Sequence, residues 1–126
     1  MENKQLRPAI SISAIWERLI ISKDTIAFLG NPNFVCLLQN KDKNAVAVTS
    51  CDAKTSMSFK VPEGFLTSHK TFSIHSKAFV EELFRSNNLQ QNLTYRIYGE
   101  PLKGNDGVLT FKLSEAIPRE EGNTID

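Results

Sequence analysis

Isoleucine and serine alternate through Ile10, Ser11, Ile12 and Ser13, inside the stretch Arg7–Ile15. A period of two sends one residue type to each face, so a half-buried strand is predicted there. Pro8 suits only the start or the edge of such a strand. After a bend at Trp16–Arg18, a second strand, Leu19–Ile21, runs directly into a short helix, Lys23–Leu29. Ile26, Phe28 and Leu29 are its candidate buried side. Ser22 can cap the free N–H groups of its first turn, and Gly30 can take the left-handed backbone past its end. Gly30-Asn31-Pro32-Asn33 is strong turn chemistry.

Two apolar runs follow, Phe34–Gln39 and Ala45–Ser50, joined by the polar loop Asn40–Asn44. They read as a hairpin. A turn centred on Asp42-Lys43 sets Cys36 opposite Thr49 and Cys51 opposite Phe34. The two cysteines are then diagonal neighbours on one face, which disfavours a disulfide. Both read as small buried hydrophobes. No CxxC and no cluster of Cys and His at ligand spacing is present, so no metal site is expected.

Lys54–Ser56 reads as a linker. Met57–Val61 alternates again, and Pro62-Glu63-Gly64 ends it. Thr71–Ile74 is a further strand. Ser76–Arg85 is the clearest helix, with Phe79, Val80, Leu83 and Phe84 on one face and Ser76 as its cap. Leu93–Gly99 and Val108–Leu113 form a second hairpin around Lys103–Gly107, with the positive-φ positions assigned to Asn105–Gly107. On it Ile97, Leu109, Phe111 and Leu113 point in, while Arg96, Tyr98, Thr110 and Lys112 point out.

The same order of strand, strand, short helix and hairpin thus occurs twice, over about 8–52 and about 57–114. Units of this size leave an apolar face that a neighbour must cover. One domain spanning residues 1–126 is expected, its two repeats completing a shared sheet core, with a short, polar, acidic tail at 115–126.

Composition adds little to this picture. At 126 residues, 40% hydrophobic and 23% charged, the chain is of ordinary globular make-up. No apolar run approaches the roughly 18 residues that span a bilayer. MENKQLRP lacks the apolar core of a secretory signal. A cytoplasmic location and no membrane partner are expected. Net charge is +1, but Glu115, Glu120, Glu121 and Asp126 against Arg119 give the last thirteen residues −3, leaving +4 for the body.

The first copy resembles the AbrB-type swapped-hairpin domain, and its duplication within one chain resembles the MraZ branch of that superfamily. Arg18-Leu19-Ile20-Ile21-Ser22-Lys23 carries the likeness, with Gly30 nine residues after Ile21 and the hairpin Phe34–Ser50 as the closing strand pair. Glu17 stands where the family has glycine, and Ser22 where it has proline. Arg18 and Lys23 are the residues that carry over, and no arginine in Phe72–Lys77 matches Arg18. The resemblance implies a mainly β (α+β) fold in which the repeats form one pseudo-symmetric, swapped-hairpin, barrel-like core. It also implies a DNA-binding transcriptional regulator that self-associates as a homo-oligomer, with double-stranded DNA as partner. The alternative is a non-enzymatic accessory module on the same fold that binds a protein instead.

Binding DNA requires cations facing phosphates. Arg7, Arg18, Lys23, Lys70, His75 and Lys77 are expected near strand ends and helix starts, and are the candidate DNA contacts. Arg96, Tyr98 and Lys112 form a second strip that offers a stacking ring. The plainer alternatives are solvated charge for the first set and cross-strand packing for the second. Neither His69 nor His75 has an acidic residue spaced to orient it, and no phosphate-binding glycine loop occurs. No catalytic residues and no cofactor are assigned.

Overall fold

The computed structural model describes residues 5–52 and 58–120, apart from the side chains of Asp106 and Glu120. The predicted linker Lys54–Ser56 and the end of the tail lie outside these residues. Among the described residues nine strands form one antiparallel sheet wrapped into a nearly closed barrel, with two α-helices. The strands are β1 (Ala9–Ser13), β2 (Arg18–Ile21), β3 (Phe34–Gln39), β4 (Ala45–Cys51), β5 (Ser58–Lys60), β6 (Phe72–His75), β7 (Leu93–Leu102), β8 (Asn105–Lys112) and β9 (Ile117–Glu120). The helices are α1 (Lys23–Phe28) and α2 (Lys77–Ser86). No described helix is long and apolar enough to cross a membrane.

The sheet order is β5-β3-β4-β8-β7-β1-β2-β6, with β9 beside β7. Exchanging the repeats turns β1 into β5, β2 into β6, β3 into β7 and β4 into β8. This exchange carries the pair β3·β4 onto β7·β8 and the pair β1·β7 onto β5·β3. It carries β2·β6 and β4·β8 onto themselves. The pairing scheme is therefore pseudo-symmetric. β1·β2 lacks a counterpart, because no β5·β6 pairing occurs among the described residues. The chain there makes a single 3-10 turn, Phe65–Thr67, whose Phe65 ring meets Phe72 edge-on at 5.9 Å.

Inward positions follow the alternation read from the sequence. Ile10, Ile12, Leu19, Ile21, Ile97, Leu109 and Phe111 are all buried. From α2, Val80, Leu83 and Phe84 are buried, and Phe84 packs edge-on against Tyr95 at 5.8 Å. Ser76 caps α2, its Oγ accepting from the Phe79 amide. At its other end the Asn87 amide donates to the carbonyls of Leu83 and Lys43, tying the helix to the β3–β4 loop. Gly30 lies at φ +86, as a helix-ending glycine should.

The start of α1 is fastened to β1. Ser22 Oγ accepts from the Thr25 amide as the cap. Thr25, fully buried, accepts from the Ala9 amide at 3.0 Å and lies 3.0 Å from the Ala9 carbonyl as donor. Thr25→Val keeps the shape but strips both bonds from a buried backbone group. It is expected to lower stability by about 1–3 kcal/mol, read by urea unfolding.

Three expectations are corrected. Cys36 and Cys51 are disulfide-bonded and only partly buried, not separate buried hydrophobes. The diagonal register is as expected, with Phe34 opposite Cys51 and Cys36 opposite Thr49. Sheet twist draws such diagonal positions together. Their Cα atoms are 6.2 Å apart, within the roughly 4.4–6.8 Å that a disulfide accepts. The second hairpin turns at Lys103-Gly104, and the positive φ falls on Gly104 rather than on Asn105–Gly107. The segment after Leu113 is not all tail: β9 pairs with β7 from Leu93↔Glu120 to Arg96↔Ile117.

Candidate nucleic-acid interface

Five strands, β6-β2-β1-β7-β9, present one continuous outer wall of the barrel. Register places cross-strand rows on it. One row runs His75, Arg18, Ser13, Thr94, Arg119. The next runs Ser73, Ile20, Ser11, Arg96, Ile117. These positions alternate with buried ones such as Ile74, Leu19, Ile12 and Tyr95, and Ser13 is itself buried. The outer wall carries arginine, histidine, serine and threonine, with Ile20 and Ile117 among them, where the inner one is apolar.

Arg18 sits where β2 leaves the β1–β2 turn. Its guanidinium lies 5.8 Å from the Trp16 ring centroid. Its Nε is closed off from solvent and has no hydrogen-bond partner. Glu17, in the same turn, adopts φ +52, and its carbonyl accepts from the Ser76 amide. This is the left-handed backbone that favours glycine, the residue the AbrB-like pattern has there. Farther along the wall, Arg96 Nε donates to the Tyr98 hydroxyl at 3.2 Å. The exposed Arg7 lies 4.0 Å over the face of that same ring. Both guanidiniums lie within cation–π reach of the ring, Arg96 at 5.4 Å from its centroid.

The six candidate DNA contacts do not form one cluster. Arg18 pairs with His75 at one end of β2·β6, and Lys77 opens α2 just beyond. Lys23 and Lys70 lie at the opposite end, past the Ile21↔Phe72 pair. There Lys23 Nζ donates to the Lys70 carbonyl at 2.8 Å and covers the Phe65 ring at 4.0 Å. Lys70 Nζ donates to the Glu63 carbonyl at 2.8 Å. The Lys23 ammonium fastens the loop between β5 and β6 to α1, and that of Lys70 closes the loop on itself. Arg7 instead joins Arg96 and Tyr98, linking the two sets drawn from the sequence. Lys112 parts from them. It pairs with Ala45 and lines an open groove of about 730 Å³ with Asn40, Asp42, Asn44 and Asn87.

Sequence reasoning missed Arg119 and Trp16. The sequence puts Arg119 in a polar tail, and only the pairing Thr94↔Arg119 brings it to the wall. Trp16, a bend residue by sequence, is 57% exposed at the tip of the β1–β2 turn. Carboxylates flank the wall: Glu17 in the turn, Asp24 on α1, whose Oδ2 accepts from the Arg7 amide at 3.0 Å, Glu100 where β7 passes over to β8, and Glu115 just before β9. Among the described residues the one ion pair, Lys43–Glu82, lies elsewhere. No group of three or more His, Cys, Asp or Glu gathers among the described residues.

No family model, no curated protein and no solved structure matches the chain.

Proposed function

We propose that this chain is a DNA-binding protein that meets the phosphate backbone with the outer wall β6-β2-β1-β7-β9. Regulation of transcription is the role its AbrB/MraZ-like pattern implies. One observation carries the proposal: Arg18, Arg96 and Arg119 share a sheet face, and Arg7 adjoins it over Tyr98. Arginine is the cation suited to this task, since its planar fork matches phosphate oxygens and stays charged at any working pH. The face favours nucleic acid over an acidic protein because its contacts are spread across several strands in a hydroxyl-rich field (Ser11, Ser73, Thr94). The exposed Ile117 on the same face is what favours the alternative, a protein partner.

Fluorescence anisotropy with labelled DNA, single-stranded and duplex, at several salt concentrations tests this. Four neutralised phosphates give a slope of log K against log salt of about −3 to −4. Arg96→Ala and Arg119→Ala are each expected to reduce that slope by about 1. Absence of binding to both DNA forms at low salt, or an unchanged slope in the double variant, overturns the proposal.

A further inference from the structure

We infer that the β1–β2 turn is a base-stacking finger, and that the arginine wall therefore takes single-stranded DNA in preference to duplex. This rests on the DNA-binding reading above and adds the strand state. The tip of the turn holds two large apolar side chains in succession, Ile15 at 51% and Trp16 at 57% exposure. Single exposed apolar residues are ordinary, but an adjacent pair on a two-strand turn presents a broad apolar knob. The turn is held in shape: the Trp16 amide donates to the buried Ser13 Oγ at 3.2 Å, and the Glu17 amide to the Ala14 carbonyl. Arg18 flanks the indole, and the row His75, Arg18, Ser13, Thr94, Arg119 crosses the foot of the turn between Arg18 and Ser13. A phosphate chain lying along that row passes the turn and brings one of its bases to the indole face.

Shape decides between the two forms of DNA. The wall is the outside of a nearly closed barrel and so is convex, about 19 Å across from β6 to β9 at the usual strand spacing. A flexible single strand can follow such a surface. A duplex is stiff over about 50 nm and touches it along a short arc only. Its bases are also already stacked, so the indole would have to part a base step first. A single strand offers π-faces at no such cost, and any base serves.

Trp16 is the one tryptophan of the chain, so its emission reports on this ring alone. The test titrates the full chain with a dT 12-mer and with a 12-base-pair duplex, reading Trp16 emission together with the anisotropy of end-labelled DNA. The single strand is expected to quench Trp16 and to bind more tightly than the duplex. Trp16→Ala is expected to weaken the single strand by about 5- to 100-fold, to leave the duplex unchanged, and to be largely rescued by Trp16→Phe. Salt-dependent binding with unchanged Trp16 emission and full affinity in Trp16→Ala overturns the finger and leaves the arginine wall standing. No binding of either DNA overturns the wall and the finger with it.

Discussion

Expressed apart, residues 1–52 and residues 58–126 yield no folded monomer. The reason is where the pairings fall. β1·β7, β2·β6, β3·β5 and β4·β8 each join one repeat to the other. Without them the first half keeps only the hairpin β3·β4 and the short pair β1·β2. Two-stranded units are marginal in water. Ile10 and Ile12 would lose Ile97 and Tyr95 across the β1·β7 pair, and Leu19 would lose Ile74 across β2·β6. Far-UV circular dichroism, amide exchange and solution mass on each fragment check this. Unfolded chains, or folding only on dimerisation, are the expected results. Dimerisation would follow from the exchange symmetry, since a second copy of one half can offer the strands its missing mate supplied. Two independently folded, monomeric fragments would falsify the shared core.

That interdependence was readable from the sequence because it depends on order and period, which are local properties. The register of β3·β4 followed from where the polar loop sits, and the in-facing set Ile97, Leu109, Phe111 and Leu113 followed from alternation. What escaped depended on how distant strands meet. The strand between Arg18 and Lys23 puts them at opposite ends of β2, and antiparallel β6 then sets His75 beside one end and Lys70 beside the other. Which distant residue joins each end is carried by no local pattern. β9 escaped because Ile117–Glu120 contains a proline and is too short to show a period. Proline is tolerated at a sheet edge, which is where β9 lies. Arg119 was lost with it, and so was the row that makes the wall continuous. The disulfide is not legible from a flat register, because it is the twist of the hairpin that brings the diagonal positions Cys36 and Cys51 within bonding reach.

Phe111→Ala is expected to cost about 3–5 kcal/mol, the range for deleting a buried ring. Phe111 is fully buried, paired with Val46 on one side and with Gly99 on the other. At the roughly 2.1 cal/mol/K per residue of unfolding entropy, that cost lowers Tm by about 10–20 °C. The pairing with Gly99 makes the prediction sharper than a generic cavity. A Cβ added to Gly99 would come within 2.7 Å of Phe111 Cδ2 and Cζ, so the ring occupies the space a side chain would take. Gly99→Ala alone must push a buried ring aside, at about 1–3 kcal/mol. In the Phe111→Ala background that clash is gone. Gly99→Ala then becomes neutral or slightly favourable, because alanine lowers the entropy of the unfolded chain. Urea unfolding of the wild type, both single variants and the double variant gives the coupling directly. A coupling above about 1 kcal/mol is expected, and additivity within about 0.5 kcal/mol would show that the ring does not lie over Gly99. Phe111 also links the second repeat's hairpin to the first repeat, through its pairing with Val46 of β4. Loss of the ring therefore weakens β7·β8 and β4·β8 together, and β7 is also the strand that holds Arg96 and Tyr98 on the wall.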